Sequence, residues 1–213
     1  MIIKRFLLIF TLLLILFSGC SNNKIANNDT EKELFMNFNK VYHEEFYSPL
    51  QKLSSFCIQN DIYHNQHVYE SGFNAAFDVF SRLKRQFKTP QEPYDFIYLN
   101  LDKQIKGIEK LTTIINSAEF KWKKDFLEYL NNENAKAKES FNELNKYNPN
   151  NFPDFSEPKV SENFQYQPMI DSYNALVKIC SSANLRAEDS KWNEKKTYEI
   201  QKENDWTKVE RVE

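Results

Sequence analysis

From Thr30 to about Ser190 the apolar residues recur in alternating steps of four and three, the period of a helix buried along one stripe. The clearest run is Tyr69, Phe73, Ala76, Phe80, Leu83 and Phe87. A second comprises Leu101, Ile105, Ile108, Thr112 and Ile115, continued by Trp122, Phe126 and Tyr129, and a third Met169, Tyr173, Leu176, Cys180 and Ala183. Three such seams predict helices sharing one core. Start signals agree: Thr30-Glu31-Lys32-Glu33, Ser48-Pro49-Leu50-Gln51 and Thr89-Pro90-Gln91-Glu92 each carry a capping-box pattern, two with Pro at the first helical position. The predicted helices span about 31–47, 49–59, 61–88, 93–130, 134–147 and 168–189, the first two as one kinked rod. In 61–88, Asp61 and Glu70 lie early and Arg82, Lys84, Arg85 and Lys88 late, which suits the helix dipole.

An unbroken helix over 93–147 would be about 80 Å long, so a break is expected, with Asn131-Asn132-Glu133-Asn134 as its place. Residues 148–168 hold Pro149, Pro153, Pro158 and Pro168 and predict a long connection. The expected fold is all-α: an antiparallel helical bundle over 31–189, a long Pro-rich connection within it, and a charged, polar C-terminal extension over 190–213.

Composition narrows the class. The 213 residues include only three Gly, of which Gly19 lies in the N-terminal segment, leaving Gly72 and Gly107 for the rest. Tight hairpins and phosphate-cradling loops need more. The net charge of -2 offers no basic face for nucleic acid.

The N-terminus has its own pattern: Lys4 and Arg5, an apolar run from Phe6 to Phe17 broken only by Thr11, then Ser18-Gly19-Cys20. Twelve apolar residues suit a signal peptide and are too few to span a bilayer. Leu16-Phe17-Ser18-Gly19-Cys20 resembles the lipobox of bacterial lipoproteins, with the usual Leu one position upstream. The resemblance implies a signal peptide over 1–19, acylation of Cys20 (the palmitate-bearing anchor of that class), cleavage before Cys20, and a flexible tether over 20–30. It places the chain outside the cytoplasm, at the outer leaflet of the cell membrane or, in a Gram-negative source, at the outer membrane, since Ser21 stands where an inner-membrane retention Asp would be. Loss of Lys4 and Arg5 leaves 26 basic against 30 acidic residues, a net charge of -4, so the lipid would do the anchoring.

Candidate chemistry is sparse. Asp61, His64, His67 and Glu70 are three apart, and His with carboxylate suits Zn²⁺ or iron. His67-Val68-Tyr69-Glu70 resembles the His-x-x-Glu of imelysin-like envelope proteins, which have Gly where this chain has Asn65 and are much longer. Steps of three turn the ligands off one face, however, and solvated polar residues explain the pattern as well. His43, Glu44 and Glu45 could complete such a site from the first helix. With Cys20 acylated, Cys57 and Cys180 remain, either as a disulfide or as two packed thiols. Phe152, Phe155, Phe164 and Tyr166 in the Pro-rich connection form either a docking surface or a lid over the bundle. Lys121-Trp122-Lys123-Lys124 and Lys191-Trp192 suit a membrane or glycan contact, or else Trp122 is core and the lysines are its solvated neighbours.

No nucleophile elbow or Cys beside His is present, and no catalytic residue or cofactor is assigned. The expected function is that of a lipid-anchored envelope protein with a non-catalytic binding or structural role at the membrane surface, acting on an envelope protein partner. The alternative is an extracytoplasmic metal or small-ligand binder using His64, His67 and Glu70.

Overall fold

The computed structural model describes residues 30–62, 72–117, 119, 121–156 and 164–203, the side chains of 191–194 excepted. Helix α1 (30–41) passes through a π-helical turn (Tyr42–Tyr47) into α2 (Ser48–Gln59) without interruption. Then follow α3 (Gly72–Gln86), α4 (Gln91–Asn116), α5 (Lys123–Leu144), a 3₁₀ turn (Pro149–Asn151) and α6 (Tyr166–Glu203). The described residues form an all-α bundle.

The first rod contains Pro49, which has no N–H for the carbonyl of Glu45 and whose ring crowds it. The ladder responds by widening: the Ser48 N–H donates five residues back, to the His43 carbonyl. Ser48 therefore lies within a rod rather than capping a helix. The Glu45 carbonyl faces α4 at Gly107, where a Cβ would lie 2.6 Å from the Glu45 oxygen. Gly107 is thus the residue that lets two backbones meet.

Cross-helix pairs set the directions. Cys57 meets Cys180 and Ser54 meets Asn184, so α2 and α6 run antiparallel. Glu133 pairs with Arg186 and Asp125 with Lys196, so α5 and α6 are also antiparallel. Tyr147 donates its hydroxyl to the Pro90 carbonyl at one end of the α4/α5 pair, and the rings of Tyr98 and Phe141 meet further in. Phe56 against Phe96 and Glu45 against Lys110 fix the first rod opposite to α4. Four rods thus alternate in direction, and α3 leans on α6. Phe35, Phe38, Tyr42, Phe46, Trp122 and Phe126 fill the end from which residue 30 emerges.

Several sequence expectations shift. Asp61 does not open a helix; it ends α2. Its φ of 54° puts it in the left-handed region, its N–H donates to the Ile58 carbonyl and that of Ile62 to the Cys57 carbonyl, which is a Schellman stop with Asp in the usual Gly position. Ile62 is buried behind it, and the Asp61 carboxylate pairs with Arg82 at 3.1 Å. In α3 the buried face is Ala75, Ala76, Val79, Phe80 and Leu83, whereas Phe73 is 36% exposed. Tyr69 lies outside the described residues. The α4 seam runs through Ile97, Leu101, Gln104, Ile108, Leu111 and Ile115, so Gln104 and Leu111 replace Ile105 and Thr112.

The break expected at 131–134 falls instead between the end of α4 at Asn116 and the start of α5 at Lys123. Asn131 and Asn132 face solvent, where Asn costs a few tenths of a kcal/mol. Phe126, Leu130, Glu133, Ala137, Ser140 and Leu144 form an unbroken heptad seam past them. At the C-terminal side, no helix end occurs at 189. Helix α6 continues to Glu203 and buries Ser190, Thr197 and Ile200, so the first part of the expected tail is bundle.

Candidate functional site

Cys20 and the trio His64, His67 and Glu70 lie outside the described residues. Among the described residues no group of three or more His, Cys, Asp or Glu side chains could hold a metal ion. His43 is exposed on the π-turn with its ring against Tyr42 and Tyr47. Glu44 and Glu45 point instead into a surface groove of about 890 Å³ between α1 and α4, opposite Lys103, Lys106 and Lys110. Glu45 pairs with Lys110 across it. Lys106 is held by Asp102 one turn back at 2.8 Å, and that hydrogen bond raises the pKa of its ammonium. The groove is lined by both signs of charge over an apolar strip of Val41 and Ile114.

The sulfurs of Cys57 and Cys180 are at bonding distance, 2.14 Å, with Cα atoms 5.4 Å apart. Both residues are fully buried. The bond joins the C-terminal turns of α2 to the first half of α6, closing a loop of 123 residues.

The aromatic residues of the Pro-rich connection divide. Phe152 and Phe155 are buried, Phe155 against Phe80 and Phe152 against Tyr147. Asn148 accepts from the Asn150 N–H, while Asn151 donates to the Pro168 carbonyl and to Ser172 Oγ. These bonds press the described part of the connection onto α6. Phe164 is half-buried, and Tyr166 joins Phe73 and Phe77 in an exposed aromatic patch. Trp122 is buried against Phe35, Phe38 and Phe126, with Lys121 and Lys124 exposed beside it. The side chains of Lys191 and Trp192 lie outside the described set.

Sequence reasoning missed the most unusual chemistry in the bundle. Arg186 is fully buried and Glu133 is 1% exposed; Arg186 Nε donates to Glu133 Oε2 at 2.8 Å. Lys136, at 3.4 Å, reaches the other Glu133 oxygen and bridges outward to Asp189 at 3.6 Å. Tyr129, one turn before Glu133, has its pKa pushed up by burial first, then by Tyr42 and Glu133 nearby. Arg186 Nη1 and Nη2 and both amide atoms of the fully buried Gln104 have no hydrogen-bond partner among the described residues. The one legible signal was placement: Gln104, Glu133 and Arg186 occupy seam or near-seam positions where an apolar residue is the norm. No family model, no curated protein and no solved structure matches this chain.

Proposed function

We propose that this chain is a cell-envelope lipoprotein, held at the bilayer by acyl chains on Cys20, whose helical bundle has a non-catalytic binding or structural role at the membrane surface. The observation that carries the reading is the order of the first twenty residues: basic pair, apolar run, small residues, Cys20. Two acyl chains give stable attachment, at about 0.8 kcal/mol per buried CH₂. Among the described residues no helix is long and apolar enough to cross a membrane. A buried Cys57–Cys180 bond suits folding outside the reducing cytoplasm. The mixed-charge groove between α1 and α4 matches a protein partner better than a nucleic acid, which would call for one sign of charge.

The test is Cys20→Ser in the native host, followed by cell fractionation and metabolic labelling with a palmitate analogue. Loss of label, retention of the precursor and loss of acyl-mediated membrane attachment are expected. Unchanged labelling and processing would refute the anchor. In-cell crosslinking with mass spectrometry then tests the partner, and the groove predicts crosslinks at Lys103 or Lys110.

A further inference from the structure

The register of the four rods puts three buried polar side chains in one cross-section. Glu133 and Arg186 meet directly. Along the antiparallel α4/α5 pair, the contacts Pro90–Tyr147 and Tyr98–Phe141 place Gln104 at the level of Glu133 and the turn after it. Helices α4 and α6 each pack on the first rod and on α5 and so are diagonal partners, and Gln104 and Arg186 are both fully buried.

A polar atom buried without a partner is costly, more so beside a charge. Among the described residues four such atoms belong to Arg186 (Nη1 and Nη2) and Gln104 (Oε1 and Nε2), with Asn134 Oδ1 and Asn184 Nδ2 close in sequence on the same helices as Glu133 and Arg186. The Arg186 atoms are donors only, whereas Gln104 offers a donor and an acceptor. A guest must therefore accept from Arg186 and also both give to and accept from Gln104. Charge narrows the choice further. Arg186 is already neutralised by Glu133, and Lys136 by Glu133 and Asp189, so an anion would add an uncompensated buried charge.

We propose that the Gln104–Glu133–Arg186 layer is an internal binding site for water, a structural solvent cluster bridging the Arg186 Nη groups to the Gln104 amide. A buried water makes about three hydrogen bonds, and this layer supplies partners of both kinds. The solvent would complete the coordination of a guanidinium that Glu133 contacts through Nε alone.

The experiment is a crystal structure of the disulfide-bonded mature protein at a resolution that shows ordered solvent, grown in bromide. Density within hydrogen-bond distance of Arg186 Nη1 or Nη2 and of Gln104, without anomalous signal, is expected. An anomalous bromide peak there, or Nη groups and Gln104 bonded directly to protein atoms with no density between, would overturn the proposal. Magnetic relaxation dispersion of water on the same protein and on Gln104→Leu gives an independent reading. The variant should lose at least one long-lived internal water, and an unchanged count would also overturn it.

Discussion

Gly107 separates what helix propensity predicts from what packing predicts. By propensity, replacing a mid-helix Gly with Ala stabilises by about 1 kcal/mol. In the bundle the new Cβ would lie 2.6 Å from the Glu45 carbonyl oxygen and 2.8 Å from its carbonyl carbon. Carbon and carbonyl oxygen normally stay about 3.3–3.6 Å apart, so the α4 backbone or the π-turn must move by roughly 0.7–1 Å. The obstacle is main chain and cannot escape by a rotamer change. Overpacking of this kind costs about 3 kcal/mol at the upper end of the usual range. After the propensity gain, Gly107→Ala should destabilise by about 2 kcal/mol, seen in urea as a midpoint lower by roughly 1 M. Gly72→Ala is the control: its Cβ would meet Ile170 Cγ2 at 3.2 Å, the end of a side chain that can shift, and stability should stay within about 0.5 kcal/mol. Pro49→Ala supplies the Glu45 carbonyl with an N–H, so in that background the Gly107→Ala penalty should shrink, a coupling of about 0.5–3 kcal/mol. A Gly107→Ala protein as stable as the parent, or more so, would refute the close approach of α4 to the π-turn.

Other variants probe the remaining layers. Phe80→Ala should cost about 3–5 kcal/mol by thermal or urea unfolding, whereas the partly exposed Phe73→Ala should cost only about 1–2; equal losses would contradict the placement of the α3 face. Glu133→Leu leaves the Arg186 charge buried and should cost about 3–5 kcal/mol, and adding Arg186→Met should recover most of it; no recovery would mean that the pair does not act as a unit. Acid stability follows from Glu143, Asp125 and Asp154, whose carboxyl pKa values are lowered, by Lys146 and Lys196 for the first two and by the Ser156 N–H and hydroxyl for the third. A folded pKa below the unfolded value contributes stability above the ordinary carboxylate range, about pH 4, that disappears as pH falls through the lowered values. The unfolding midpoint should therefore drop below about pH 4, and 1 M salt should weaken the Asp125 and Glu143 parts more than that of Asp154. A midpoint flat down to pH 2 would refute this.

Much of the fold was legible because local rules and the global pattern coincide. The α6 seam of Met169, Tyr173, Leu176, Cys180 and Ala183 is buried as its period requires. The same rules failed where tertiary contacts outweigh them. Asn131 and Asn132 are poor helix formers, yet the seam they interrupt on paper is fastened by Glu133 to Arg186. Asp61 reads as a helix start and serves as a helix stop: its left-handed backbone closes the bonds back to Ile58 and Cys57, and its carboxylate pairs with Arg82 of α3.

By itself the sequence determined that the chain is helical and that its seams share a core, since period and capping residues are local properties. Only the tertiary structure decided that Cys57 and Cys180 meet, that Gly107 admits the Glu45 carbonyl, and that Glu133 and Arg186 pair in the core. Those facts depend on the register between rods distant in sequence. Register is chosen by the sum of many weak side-chain contacts and is written in no single segment.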